Sequence, residues 1–372
     1  MVVARTAFFW DERCFWHGGG NYAFTLPVGD LVQPLAAGGL PEHPETKRRV
    51  KNLLDVTGLI HELDAQGAEP ANLEDLLRVH PQSFIRKFKE VSDADGGDLG
   101  LRAPFAKGGF EIAALSAGLA KAALLAVLEG RVSNAYALSR PPGHHCLPDW
   151  PNGFCLLNNI AIAIRSARAA GKVERVAVLD WDVHHGNGTE AIFIEDPETL
   201  TISLHQERNY PVDTGDPATR GEGAGEGANV NVPLPPGAGH ATYLEAVERI
   251  VLPALDRFRP DAIIVACGFD AAAIDPLSRM LATAETFRVM TRQVMDAAAR
   301  LCGDRLVLVH EGGYSEVYVP FCGHAVLEEL SGSAIAAPDP FGEVFAMRQP
   351  NRLLEAAYSA MLGELARSFS LA

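Results

Sequence analysis

Residues 175–188 read RVAVLDWDVHHGNG. Val176 to Leu179 is an apolar run rich in β-branched residues, with no polar alternation, as in a strand buried on both faces. Immediately after it come Asp180, Asp182, His184, His185 and Asn187, a density of ligand-type side chains that a mere turn does not need. Four other runs share the strand character: AYALS (135–139), TLTISLH (199–205), DAIIVACG (261–268) and RLVLVHEG (305–312). Helical patterns lie between several of them. Residues 110–129 close on Gly130, 158–170 on Gly171, 241–258 precede Arg259-Pro260, and 283–302 run from a Thr cap to Gly303. Strand and helix in alternation predict an α/β fold: a single domain over residues 1–372, its parallel sheet covered by helices on both faces. A C-terminal helix, 349–368, is expected on the outside. Segments 22–40 and 92–107 are expected to form rim loops, and 221–239 a long surface loop whose glycines make no G-x-G-x-x-G dinucleotide motif.

With 48% hydrophobic and 21% charged residues, the 372-residue chain can bury a sizeable core, which excludes disorder as its main state. The balance of 32 basic and 47 acidic residues, net −15, provides no basic face for nucleic acid and tolerates a cationic substrate. Six cysteines (Cys14, Cys146, Cys155, Cys267, Cys302, Cys322) make no C-x-x-C pair, so reduced thiols and a cytoplasmic location are expected. Asp11 interrupts the N-terminal apolar run too early for a signal peptide, and no long uncharged apolar stretch marks a membrane span. Phe8-Phe9-Trp10 and Phe15-Trp16 read first as core packing; a rim loop or a contact in a homo-oligomer stays open.

The chemistry collects after the strands. AYALS is followed by RPPGHH with His144 and His145, DAIIVAC by GFDA with Asp270, and RLVLVH by EGGY with Tyr314. In open parallel sheets ligands bind beyond the carboxyl ends of the strands, so these ends are expected to meet in one pocket. Asp182 and His184, two apart on an extended segment, can leave on the same side. With Asp270 they offer one imidazole and two carboxylates, the three-ligand set of a catalytic metal site; Zn²⁺ fits, and Fe²⁺, Co²⁺ or Mn²⁺ could also occupy it. Either aspartate taken singly could instead cap a loop. Adjacent imidazoles need partners to set their tautomers, and Asp180 and Asn187 are of the right type. The Asp-paired histidine should carry the higher pKa and leave the Asn-paired one free to act as base. Gly312-Gly313 would let Tyr314 aim its phenol at a developing oxyanion. Cys146 and Cys155 read as core or loop thiols more readily than as a nucleophile.

Taken in order, RPPGHH, GFCLLNN, DWDVHHGNGT, ISLHQ, GFDA and EGGY resemble the zinc-dependent histone deacetylase superfamily over residues 45–332. Asn187 and the Trp181 context look like its class II branch and like bacterial histone deacetylase-like amidohydrolases. The resemblance implies an arginase/deacetylase fold with about eight parallel strands and one Zn²⁺ per chain on Asp182, His184 and Asp270. It implies His145 as general base and acid, His144 with Asp180 as its electrostatic partner, Asn187 beside His145, and Tyr314 polarising the acyl carbonyl. Gly153, Phe154 and Tyr210 would line the acyl-lysine tunnel, although the family usually has Phe at the last position. A structural K⁺ would sit among Asp180, Asp182, His184, Ser203 and Leu204. Polyamine-selective relatives often carry an acidic residue where this chain has Leu277. The implied substrate is therefore an acyl-lysine peptide or protein, with acetylpolyamine as the alternative. An arginase-like dimanganese hydrolase and a non-enzymatic acyl-lysine reader are the rival classes.

Overall fold

Eight runs of backbone pair into one sheet in the computed structural model, which describes residues 6–20, 22–28, 32 and 39–371. In chain order they are β1 (Thr6–Phe9), β2 (Asp64–Gln66), β3 (Asn134–Ala137), β4 (Val176–Asp180), β5 (Thr199–Gln206), β6 (Asn229–Leu234), β7 (Ala262–Cys267) and β8 (Leu306–His310). The spatial order is β6-β5-β4-β7-β8-β3-β1-β2, and every pairing is parallel. All carboxyl ends therefore open on one edge of the molecule.

Strand periodicity divides the core into two layers. The ladder row Val230, Ile202, Leu179, Val265, Leu308, Tyr136 and Phe8 faces one side. Helices Pro44–Thr57, Ala284–Cys302 and Val319–Ser331 pack there, together with His240–Phe258, whose middle turn widens to π geometry at Val247–Val251. Phe9, Ala137, Val309, Ala266 and Val178 face the other side, against helices Gly109–Leu128 and Asn159–Ala169. The helix Gly109–Leu128 is by length and composition apolar enough to cross a membrane, although Glu111 and Lys121 interrupt it. Here it is mostly buried as a core helix, with Ala117, Ala120 and Ala123 letting its neighbours approach closely. The C-terminal helix, Arg352–Ser368, lies on the outside.

Several expectations need correction. The 221–239 segment contains edge strand β6: the alternation Val230, Val232, Leu234 was hidden by Asn229 and Asn231, whose amides donate to Glu190 Oε2 at 2.7 Å each. Phe8, Phe9 and Phe15 do pack in the core, the first two on inner strand β1, but Trp16 departs from that expectation and is 78% exposed. Segment 92–107 holds a hairpin, Gly96–Asp98 with Pro104–Ala106. Of the expected 22–40 loop, the described part carries two short paired strands, Tyr22–Ala23 and Leu26–Pro27, and most of the rest lies outside the described residues.

Candidate active site

Asp180 closes β4, and the chain then bends through 182–184 instead of staying extended. Asp182 N donates to Asp180 Oδ1 (3.1 Å) and His184 N to Asp182 Oδ1 (2.9 Å), which brings Asp182 and His184 together. The neighbouring strand β7 delivers Asp270 three residues beyond its end. His184 Nδ1 lies 3.0 Å from Asp182 Oδ1 and 3.0 Å from Asp270 Oδ2, and the three ligand atoms lie within 4.8 Å of one another. Both carboxylates are fixed by the backbone: Gly312 N donates to Asp182 Oδ2 (2.7 Å) and Val183 N to Asp270 Oδ1 (2.7 Å). Gly312 must be glycine, because a Cβ there would stand 2.3 Å from Asp270 Oδ2 and 2.6 Å from Asp182 Oδ2. Asp182 and Asp270 are fully buried, and among the described residues the imidazoles of His144 and His184 are the groups beside them that can carry positive charge. Burial and then Asp182 push the Asp270 carboxyl up to about 6. Such a pocket of oxygen and nitrogen donors with excess negative charge fits a divalent cation.

The two histidines of RPPGHH part company here. His144 Nδ1 donates to Asp180 Oδ2 at 2.9 Å, while His145 Nδ1 donates to Asn187 Oδ1 at 2.8 Å. Burial would lower both. For His144 the carboxylates of Asp182 and Asp180 win and raise it to about 10. For His145 burial is reinforced by His144 and His184, so its pKa falls well below the usual imidazole value. The surroundings thus favour the charged form of the His144 ring and the neutral form of the His145 ring, the order expected from their partners, and leave His145 Nε2 without a hydrogen bond among the described residues. Their loop is held from the next strand: Glu311, just past β8, accepts Gly143 N (2.6 Å) and His144 N (3.1 Å) on one oxygen. Burial pushes this carboxyl up to about 7.

Above the floor lies a cavity of about 370 Å³ lined by His145, His184, Tyr314, Phe154, Tyr210 and Leu277, among others. Phe154 and Tyr314 meet edge to face at 5.7 Å, and Tyr210 stands 5.1 Å from His145. Gly153 (φ +50°) lies between His145 and Tyr210, where a Cβ would come within 2.4 Å of His145 Cδ2. Burial, then Asp182 and Asp270, push the Tyr314 phenol well above its ordinary value, so it remains a hydrogen-bond donor. Asp275 holds both gate and donor: Tyr314 N donates to Oδ2 (2.7 Å) and Leu277 N to Oδ1 (2.9 Å).

Every singled-out floor residue therefore lies at one strand-end cluster, and Gly153, Phe154, Tyr210 and Leu277 stand around its entrance. Ser203 pairs in register with Asp180, next to Leu204, beside a small cleft. His185 turns away, to Thr214 Oγ1 (2.9 Å) and Glu190 Oε2 (3.2 Å). Sequence reasoning missed Glu311, Asp275, Arg102 and Arg279. The first lay in the HEGGY stretch and the second two residues before the gate residue, but the partners that tie them to the floor, Gly143 and Tyr314, are 168 and 39 residues distant.

The histone deacetylase domain family matches residues 40–330. A histone deacetylase-like amidohydrolase of Pseudomonas aeruginosa is 58% identical over 370 residues, covering 100% of this chain and 97% of that protein. A probable deacetylase of Archaeoglobus fulgidus is 39% identical over 310 residues, 81% of this chain and 86% of its own. Among solved structures, the HD domain of HDA15 superposes with a TM-score of 0.79 at 32% identity, covering 96% of this chain and 99% of that one. The match in motif, sheet and full-length sequence makes this chain a member of the histone deacetylase family, a bacterial-type deacetylase-like amidohydrolase acting on amide bonds.

Proposed function

We propose that the protein removes acetyl or short acyl groups from the ε-amine of lysine side chains in peptides or proteins. One observation carries this reading: Asp182, His184 and Asp270 converge directly beneath a cavity that also receives the bare Nε2 of His145 and the Tyr314 phenol. Asp182, His184 and Asp270 would hold one Zn²⁺, which when bound polarises the acyl oxygen and acidifies water. His145 takes the proton of the attacking water at Nε2, and the charged His144 beside it stabilises the negative charge that develops. Tyr314 donates to the oxygen as the carbonyl carbon becomes tetrahedral. His145 then returns the proton to the departing nitrogen, the C–N bond breaks, and the second proton of the water passes from the new carboxylic acid to the amine, so that a carboxylate and an alkylammonium result. Phe154 and Tyr210 would flank an aliphatic lysine stem, which needs apolar walls and no charge partner.

Leu277 on the wall, where a carboxylate would suit a polyamine, supports acyl-lysine over acetylpolyamine. Asp180 and Ser203, adjacent in register, with Leu204 and the backbone near Asp182 and His184, would seat a K⁺ that braces the floor. All six cysteines are free and buried, which fits a cytoplasmic setting. A dimanganese centre is less well supported, since Asp180 is engaged by His144. The test is hydrolysis of a fluorogenic acetyl-lysine peptide, alone and with a chelator, alongside Asp182→Ala and acetylspermidine. Chelator and Asp182→Ala should each cut peptide hydrolysis by at least about 10²-fold. Activity surviving both, or a strong preference for acetylspermidine, would defeat this reading.

A further inference from the structure

The mouth of the cavity carries the opposite charge to its floor. Arg102 and Arg279 both line it, and no aspartate or glutamate does among the described residues. Many arginines elsewhere on this acidic chain pair with carboxylates, as Arg288 does with Glu328 at 2.9 Å and Arg292 with Glu329 at 2.7 Å, while others, such as Arg257, bond only backbone carbonyls. What sets Arg102 and Arg279 apart is that both line one cavity without a carboxylate partner among the described residues, on a chain where acidic residues outnumber basic ones 47 to 32. Both are held in place. The Arg102 carbonyl accepts Phe154 N at 2.8 Å, and its guanidinium lies over the Tyr210 ring at 5.5 Å. Arg279, two residues past Leu277, donates its backbone N–H to Gln206 Oε1 (2.7 Å) and one guanidinium nitrogen to Ser278 O (2.5 Å). The remaining N–H groups of each are left for a ligand. Asp98 is the acidic residue on the adjacent hairpin, and its two oxygens already accept Gly100 N and Ala103 N.

We propose that this pair of arginines selects acyl-lysines that have a carboxylate nearby, so that the substrates are acidic peptide segments and not polycations. The proposal rests on the acyl-lysine reading above and names the sequence context within it. A guanidinium presents paired N–H donors that match a carboxylate, and stacking on Tyr210 leaves the donor edge of Arg102 free for it. The net negative charge of the chain acts at longer range and is screened beyond about 8 Å at physiological salt, so contact at the mouth decides. A polyamine, or a lysine-rich tail, would have to lay ammonium groups against both arginines.

The experiment compares kcat/KM for end-capped acetyl-lysine peptides flanked by Glu, Gln or Lys. The expected order is Glu above Gln above Lys, spanning about tenfold at low salt and shrinking at about 0.5 M salt. Arg102→Gln/Arg279→Gln should bring the Glu-to-Lys ratio close to one; the wild-type salt series tests the same claim should that variant fold poorly. Free Nε-acetyl-lysine against its α-amide asks whether the carboxylate can be the amino acid's own; a gain for the free acid larger than that from flanking Glu would overturn the peptide assignment. Turnover of the Gln peptide with no charge order, or with Lys preferred, would overturn this inference and leave the deacetylase reading standing. No turnover of any acetyl-lysine peptide would remove both.

Discussion

The floor and the mouth of this cavity are assembled by different rules. Each floor group sits at a strand end or within eight residues of it, and the carboxylates of Asp182 and Asp270 are clamped by backbone amides that follow other strands of the same sheet. The mouth is made of loop residues, Arg102, Phe154, Tyr210, Leu277 and Arg279, tied by single hydrogen bonds across long sequence separations. Reaction chemistry is thus anchored where neighbouring strands end together, and selectivity is carried by segments beyond the ladder.

The comparison predicts that floor changes act on turnover and mouth changes on choice of substrate. The largest effect is expected from Tyr314→Phe, which removes one oxyanion donor while leaving the ring against Phe154. Its kcat should fall by about 10²–10³ with little change in KM, read by steady-state kinetics on an acetyl-lysine peptide. An unchanged kcat would take Tyr314 out of the reaction. Leu277→Glu puts a carboxylate on the wall near Arg279. The ratio of acetylspermidine to acetyl-lysine kcat/KM should rise about tenfold, with acetyl-lysine turnover still measurable; a constant ratio would mean that wall charge does not sort substrates.

The smallest effect concerns stability. His80 Nε2 accepts Asn158 N at 3.1 Å and its Nδ1 donates to Pro148 O at 2.8 Å, so the neutral ring holds both ends of the loop that carries Gly153 and Phe154. Burial lowers its pKa to about 4. Because this lies below the unfolded value of about 6.5, the unfolded chain takes up the proton first. The stabilisation is complete above that value and is lost as pH falls toward 4. His17 and His205, both lowered to about 3 with burial the leading cause, act in the same direction. Glu311 and Asp270, raised to about 7 and about 6, act in the opposite direction over the same range. The test is therefore the urea midpoint relative to that of His80→Gln, a difference that should drop between about pH 7.5 and 5. Hydrogen exchange should also show the 146–157 loop opening before β4 and β7. A flat difference in midpoint across that range would refute the assignment.

Much of the floor was legible in the sequence because ligand-type side chains follow continuous apolar runs, as Asp180 to Asn187 do after Val176–Leu179. The four inner strands β3, β4, β7 and β8, with β5, announced themselves in the same way. β2 is a three-residue polar edge, β1 hides in an aromatic N-terminus, and β6 is masked by asparagines whose partners lie on another segment. At the mouth nothing local marks Arg102 or Arg279: their meaning comes from Tyr210 and Gln206, more than seventy residues away. Glu311 stood in plain view within HEGGY, but a carboxylate that accepts from the peptide of another loop leaves no pattern in its own neighbourhood.

That carboxylate joins the turn after β3 to the turn after β8. The proton carrier His145 and the phenol of Tyr314 consequently belong to one mechanical unit, although 168 residues separate Gly143 from Glu311. An insertion or deletion in either turn would be transmitted to the other. Variation among relatives should therefore leave both turn lengths untouched and accumulate in the hairpin and the segments around the entrance.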